Sequence, residues 1–362
     1  MEIGISCNAF GRSGGMERFA MDLVRGLADV GLRPHVFSPR FDMTLPEIGL
    51  IERHRIGIGF VPRPWRGDWF SRRLRRERQA AGIDVLIGCN RTDAADIVIC
   101  GGTHRGFLRA IGRRPGYNDR RQIALEIRQY DRANVIVAHS RLMRGELRQL
   151  YGVPESKIEV LYPPIDGARF SPATHERRAE LRREYGFGDD EVVLLFPSGS
   201  HERKGLPLIE SVLRDTDLPI VVAVAGRPPS SLSERVRYLG YVREIEDCYR
   251  AADYTILAST YEPFGLVGVE SVMCGTPVVM SSNIGCCEVI AESAKLEFAP
   301  GDAASLRAAL ERAVQARGAA RPAAGAVNYD TNLAAHVAAL LALAADLAPG
   351  RQALAARGPG LL

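Results

Sequence analysis

A chain of 362 residues, 46% apolar and 25% charged, has the composition of an ordinary globular protein and is longer than one hydrophobic core usually supports, so two domains are expected. No stretch reaches the roughly 18 apolar residues of a membrane span. The opening MEIGISCNAF carries no basic leader, so the chain is expected in the cytoplasm or peripheral on the inner face of the cytoplasmic membrane. The net charge of +4 is mild, and with no recognised module beside it nucleic acid is not an expected partner.

Short β-branched runs alternate with helical stretches along most of the chain, the pattern of parallel sheets with crossover helices. In the first half, strands are expected in IGISC, PHVFS, DVLIG, DIVIC and NVIVAH. An amphipathic helix fits residues 15–30, and a second runs from Ser140, a suitable N-cap, to Tyr151. KIEVLY follows, and the adjacent Pro163 and Pro164 mark the expected domain boundary. A second series then begins with EVVLLF, PIVVAVAG, VRYLG, YTILAS and TPVVMS, with helices starting near Lys204, Glu244, Val267 and Asp302. Residues 316–326 read as a loose connection, 329–347 as a helix rich in Ala and Leu, and the remainder as a frayed tail. The pattern predicts an α/β protein of two Rossmann-like doubly wound domains, 1–164 and 165–328, with the final segment 329–362 crossing back to the first.

Seven cysteines without a CxxC spacing suit free thiols better than a disulfide framework or a zinc site. Only three of the 47 basic residues are lysines, Lys157, Lys204 and Lys295, so each invites a specific explanation.

Three strand-to-helix turns carry the chemistry. In TYEPFGLVGVES, seven residues separate Glu262 from Glu270. On one unbroken helix the two carboxylates would lie roughly 80° apart. Pro263 instead favours an extended Glu262, in a loop after the strand YTILAS, with the helix starting beyond it. Phe264, Gly265, Leu266 and Val267 then form a loop and first helical turn whose free N–H groups suit a phosphate. Glu262 and Glu270 are placed to accept hydroxyl hydrogen bonds on either side of that phosphate. The second turn, FPSGSHERKG, supplies Ser198, Gly199, Arg203 and Lys204: small residues and then adjacent cations that fit a diphosphate. The third, NAFGRSGGMERFA, sets Gly14 and Gly15 at a helix start. It is not GxGxxG, and no acidic residue ends a second strand at the required offset, so a nicotinamide dinucleotide is not indicated.

In this order and spacing, the three turns resemble the retaining glycosyltransferases of the two-Rossmann (GT-B) type, the group marked by two glutamates seven residues apart. The segment from VIVAHSRLMRGELRQLYG to YPPID is similar to that group's interdomain region, and the likeness runs to about Leu347. IGCNRTDAADIVICGG and the arginines after it are most similar to lipopolysaccharide core enzymes that glucosylate a heptose. The resemblance implies two domains facing across a cleft, a nucleotide-sugar donor such as UDP-glucose, and a glycan or glycolipid acceptor. It gives Glu262 the donor sugar's hydroxyls, Glu270 the ribose, Arg203 and Lys204 the diphosphate, and Gly14 and Gly15 a phosphate. Tyr241 and Val242 would offer backbone to the base, and Thr103 or His104 would fill an acceptor-side catalytic position. YPPID departs from the group's usual Asn-Gly before the boundary aspartate. No cofactor is implied and no Asp-x-Asp pair appears in a suitable loop, so metal-independent transfer is expected. A sugar-nucleotide epimerase would share the diphosphate cradle but need acid and base residues at the sugar ring. A non-catalytic nucleotide-sugar binder would keep the same motifs.

Two stretches concentrate positive charge. Residues 63–78, from Arg63 to Arg78, contain seven arginines against Asp68 and Glu77; residues 105–128, from Arg105 to Arg128, contain seven against Asp119 and Glu126. With Trp65, Trp69 and Phe70 in the first, these stretches are candidates for docking on an anionic membrane surface or a phosphorylated glycolipid.

Overall fold

The structure, a computed structural model, describes residues 1–348 except 13, 230–232, 319–320 and 323. The expected tail therefore lies outside the described residues from 349 onward, as does part of the 316–326 connection. The chain divides into two units, Met1–Pro164 with the chain from Thr331, and Ile165–Asp330.

Unit 1 contains β1 (Ile3–Ser6), β2 (His35–Ser38), β3 (Glu52–Arg55), β4 (Val85–Gly88), β5 (Ile97–Cys100), β6 (Val135–Ala138) and β7 (Ile158–Val160). All are parallel, in the order β3-β2-β1-β4-β5-β6-β7. Its first helices are α1 (Gly15–Asp29), α2 (Arg66–Ala80), α3 (His104–Ala110), α4 (Tyr117–Arg132) and α5 (Arg141–Tyr151). The central strands are short apolar runs because helices cover both faces of a parallel sheet. Ser140 caps α5 by accepting from the Met143 N–H at 3.1 Å, and Gly152 closes it at φ 66°.

Unit 2 contains α6 (His175–Glu184), β8 (Val192–Ser198), α7 (His201–Lys204), α8 (Leu206–Arg214), β9 (Ile220–Gly226), β10 (Val236–Gly240), α9 (Ile245–Ala251), β11 (Tyr254–Leu257), α10 (Leu266–Met273), β12 (Val278–Ser281), β13 (Lys295–Phe298) and α11 (Ala303–Gln315). Its parallel sheet runs β10-β9-β8-β11-β12-β13. The expected doubly wound pair is thus present. Strand order reverses between β1 and β4 in unit 1 and between β8 and β11 in unit 2, the places where open α/β sheets bind ligands.

Several elements differ from expectation. β3 and β13 are edge strands with the polar sequences ERHR and KLEF, so neither shows an apolar run; charge on an edge prevents further strand pairing. The helix expected near Lys204 is α8, which starts at Leu206; the short α7 ahead of it was not expected, and Gly205 at φ 84° separates the two. Arg203 and Lys204 therefore end the one-turn α7, where cations complement the exposed carbonyls instead of opposing a helix N-terminus. The last helix, α12 (Leu333–Leu347), starts later than residue 329 because the Asn332 side chain accepts from the Ala334 and Ala335 N–H groups.

α12 belongs to the core of unit 1. Val337, Leu340 and Ala344 are buried with Leu23, Val24 and Leu27 of α1. Gly26 permits the close approach, since a Cβ there would meet Val337 Cγ2 at 2.6 Å. The packing also encloses two histidines: Phe19 lies between His139 and His336, with ring centroids 4.9 and 5.4 Å away. Burial, helped by His336, takes His139 down to about 3, and burial takes His336 to about 4. Both fall below the ordinary value of 6.5, so their contribution to stability is complete above that pH and is lost as pH falls towards the folded values. Urea unfolding of unit 1 between pH 7 and pH 4 is expected to weaken by up to about 1.4 kcal/mol per pH unit for each histidine. His336→Leu should flatten that slope, and an unchanged slope would show that the pair does not titrate on unfolding.

Candidate active site

Because the strands of unit 2 are all parallel, the turns after β8, β10 and β11 leave from one edge of the sheet. β8 and β11 are neighbours, so the small-residue turn and the glutamate turn meet at the switch point although some 60 residues separate them. The Thr260 N–H donates to the Arg203 carbonyl at 3.1 Å, fastening one turn to the other. Gly205 allows this contact: any Cβ would lie 2.2 Å from the Ala258 carbonyl oxygen.

At the junction the Lys204 ammonium is ion-paired with the Glu262 carboxylate. Arg203 Nη1 lies 3.7 Å from the same carboxylate oxygen and donates to the Tyr261 carbonyl at 3.2 Å. Ser259 Oγ donates to Glu262 at 3.3 Å. The loop after β12 completes the setting. The Gly285 N–H donates to the Glu262 carbonyl at 3.2 Å, and the Cys286 N–H to the Phe264 carbonyl at 2.7 Å. A Cβ on Gly285 would fall 2.0 Å from the Pro263 carbonyl oxygen, so only glycine fits.

Gly265 takes a left-handed φ of 91° and turns the chain into α10, which begins at Leu266 and Val267. Glu270 lies on α10, buried, and accepts from Tyr249 Oη of α9 at 3.0 Å. Glu262 and Glu270 thus have separate partners, one on the α7 side and one on the α9 side. Ser198 is buried at the end of β8, its hydroxyl 3.0 Å from His201 Nδ1, and His201 Nε2 lies 2.9 Å from the Arg227 carbonyl oxygen. Gly199 follows, and Tyr241 and Val242 extend beyond β10 at the same sheet edge, with Tyr241 80% exposed.

Sequence reasoning missed Tyr249, Ser259, His201 and Gly285. His201 stood within the quoted SGSHERK turn and could have been found there. Tyr249 lies in no motif and reaches Glu270 only through the packing of α9 on α10.

In unit 1, Gly14 is the N-cap of α1, with Gly15 next, at the end of the loop from β1. A Cβ on Gly14 would meet Glu17 Oε2 at 2.6 Å, so a carboxylate of the first turn already lies over this glycine. Thr103 caps α3 and donates to Glu146 at 2.5 Å. His104 is buried, its Nε2 2.8 Å from Asp119 Oδ1, while its backbone N–H donates to Glu126. The ring is therefore engaged within unit 1.

The two arginine-rich stretches come together on α2 and α4, with their charge partly spent internally. Arg121 and Arg128 pair with Asp68, and Arg75, Arg128 and Arg132 pair with Asp93. Burial would raise the Asp93 carboxyl, but Arg75, Arg128 and Arg132 hold it below the usual range. These groups surround a cavity of about 410 Å³ beside Trp65 and Trp69. Phe70 is buried, so the exposed aromatic beside Trp69 is Phe60, in edge contact with it at 5.3 Å. The cysteines are all free thiols. Among the described residues no helix is long and apolar enough to cross a membrane, and no group of three or more His, Cys, Asp and Glu could hold a metal ion.

Residues 13–169 match the model of Glycosyltransferase Family 4, and residues 193–316 that of Glycosyl transferases group 1. Over 359 residues the chain is 63% identical to a probable transglycosylase of Burkholderia thailandensis, covering 97% of this chain and 99% of that one. WaaG, a glycosyltransferase involved in lipopolysaccharide biosynthesis, is similar in structure with a TM-score of 0.76 at 15% identity, covering 96% of this chain and 100% of that one. Anabaena HepE in complex with UDP-glucose gives 0.74 at 18% identity, with 95% and 100% covered. At such identities the likeness is one of fold, the GT-B arrangement of two parallel-sheet α/β domains.

The fastening of the two turns is testable apart from activity. Gly205→Ala is expected to destabilise unit 2 by more than the roughly 1–2 kcal/mol of a left-handed alanine, because the Ala258 carbonyl must also move. Chemical denaturation would measure this, and an unchanged midpoint would contradict the packing described.

Proposed function

Since the chain belongs to the glycosyltransferases that carry a Family 4 domain followed by a group 1 domain, we propose that it moves a sugar from a nucleoside diphosphate sugar to a hydroxyl of a glycan or glycolipid, with retention at the anomeric carbon. The observation that carries this reading is the meeting of Arg203, Lys204 and Glu262 at the switch point of unit 2. A UDP-sugar such as UDP-glucose is the donor proposed, by likeness to the HepE complex. Heptose of the lipopolysaccharide core is the acceptor proposed, from the resemblance carried by IGCNRTDAADIVICGG and the arginines after it, and the likeness to WaaG, involved in lipopolysaccharide biosynthesis, agrees with a lipopolysaccharide acceptor.

The donor's diphosphate competes with Glu262 for Lys204. Arg203 forks across the phosphate oxygens and Lys204 acts as a point charge, while the start of α10 at Leu266 and Val267 faces the same group. Glu262, released from the ion pair, accepts hydroxyls of the sugar, and Glu270, steadied by Tyr249, takes the ribose. Ser198 and Gly199 give the phosphates room, and Tyr241 and Val242 present backbone to the base. Gly14 and Gly15 offer unobstructed backbone to a phosphate once Glu17 turns aside.

In the transfer, the bond between the anomeric carbon and the diphosphate oxygen breaks and its electrons pass to the diphosphate. The acceptor oxygen bonds to that carbon from the same face, and its proton goes to the departing phosphate oxygen. Charge grows on the diphosphate as the bond stretches, and in this reading Arg203 and Lys204 stabilise it without a metal. On the acceptor side, Thr103 and His104 act by position, since Glu146 and Asp119 occupy their side chains. The arginines of α2 and α4, with Trp65 and Phe60, dock the protein on an anionic membrane surface, the cytoplasmic face of the inner membrane in this reading.

Incubating the protein with a panel of nucleotide sugars, with and without lipopolysaccharide core, tests the whole reading. Acceptor-dependent release of nucleoside diphosphate is expected; release that ignores the acceptor, or none from any donor, would refute it. Lys204→Ala should lower turnover about ten- to a hundredfold, the loss of one charged hydrogen bond worth about 1.5–3 kcal/mol. Wild-type turnover would remove Lys204 from the site. Vesicles containing anionic lipid should sediment the protein at low salt and release it as salt rises, and Arg72→Glu should weaken that binding. Equal binding to neutral vesicles would rule out the electrostatic docking.

A further inference from the structure

The opposite edge of the unit 2 sheet holds a second concentration of charge that the transfer reaction does not use. A cavity of about 700 Å³ opens at the amino ends of β8, β11, β12 and β13, bordered by Val192, Tyr254, Pro277 and Lys295. Six arginines and lysines line it against three carboxylates.

At its base, Arg178 and Arg182 share one carboxylate, Asp253, at 2.7 and 3.0 Å. Arg321 has no carboxylate partner among the described residues: it donates to the Gly275 carbonyl at 2.6 Å, to Thr276 Oγ1 and to the Ala252 carbonyl. Arg178 donates to that same Ala252 carbonyl at 3.4 Å, so two guanidinium groups converge on one neutral oxygen. Arg178 Nε is buried with no hydrogen-bond partner. Three guanidinium groups thus stand against a single carboxylate, and a partly buried cation without a counterion is costly. Burial, then the nearby Arg178, pull Arg321 down to about 10. Burial also lowers Arg178, with Asp253 opposing and Arg182 adding to the shift.

We propose that this cavity is a binding site for a phosphoryl dianion, either inorganic phosphate or the phosphate of a small phosphomonoester, held between Arg178 and Arg321. Two negative charges balance the excess left after Asp253, and among the described residues N–H groups at Arg178 Nε and Arg321 Nη1 stay uncommitted for phosphate oxygens. Lys295 is already taken by Glu292 and Glu297, both at 2.7 Å, so the anion rests on the arginines. The site is separate from the proposed donor site, which lies at the carboxyl ends of the same strands.

Crystals of the full chain soaked in sodium tungstate, a phosphate surrogate, should show an anomalous peak within hydrogen-bonding reach of Arg178 and Arg321; an empty cavity would overturn the proposal. In solution, titration with inorganic phosphate at constant ionic strength should give binding that Lys204→Ala retains and that Arg321→Gln weakens at least tenfold. Binding abolished by Lys204→Ala and kept by Arg321→Gln would place the anion at the donor site and also overturn it. If Arg321→Gln does not fold, the tungstate experiment on the unaltered chain decides. Glycerol 3-phosphate in a parallel titration separates the sources: tighter binding than phosphate identifies an ester, and weaker binding identifies the inorganic ion. Failure here leaves the transferase reading intact, since that stands on acceptor-dependent release.

Discussion

Lys204 and Glu262 are brought within contact by one topological fact: β8 and β11 are adjacent in a parallel sheet although two strands, β9 and β10, and three helices, α7, α8 and α9, lie between them in the chain. A parallel sheet sends the turns after both strands out of the same edge, so a lysine ending one turn and a glutamate in the other must meet. Two opposite charges in a half-buried crevice hold each other there. The surrounding glycines serve this contact. Gly205 lets α7 approach Ala258, Gly285 lets the β12 loop support Pro263, and Gly265 turns the chain into α10.

Arginine is used throughout in a second way, as a many-handed donor around a few carboxylates. Asp68 and Asp93 join α2 to α4, and Asp253 joins α6 to β11. A lysine's point charge would not reproduce most of these contacts, because Arg75, Arg121, Arg178 and Arg182 each span a carbonyl and a carboxylate, and Arg128 spans two carboxylates. Where arginines outnumber the carboxylates that they share, the local field stays positive, as in the α2–α4 cavity and around Arg321. The nearly lysine-free composition therefore reflects construction as well as recognition. Lys204 stands apart from it, a point charge paired with the single carboxylate of Glu262.

The return of α12 to unit 1 closes the core around His139 and His336. Two neutral imidazoles against one phenylalanine ring pack like apolar groups at neutral pH and become a liability in acid. The same helix leaves unit 2 to fold around its own six strands, so each unit has a core of its own.

The sequence by itself determined the doubly wound class and the turns that bear the charged residues, since buried parallel strands are apolar runs and glycines must stand where the backbone turns left-handed. It also placed Glu262 in a loop, through Pro263. It did not reveal β3 or β13, because edge strands carry polar residues, and it read α7 as part of a turn, because a single helical turn is too short to show a period. Only the tertiary structure decided that Lys204 faces Glu262, that Tyr249 steadies Glu270, that Phe70 turns inward, and that His104 is held by Asp119. The three pairs join residues apart in sequence, and their meeting, like the burial of Phe70, depends on strand order and helix packing and not on local preference.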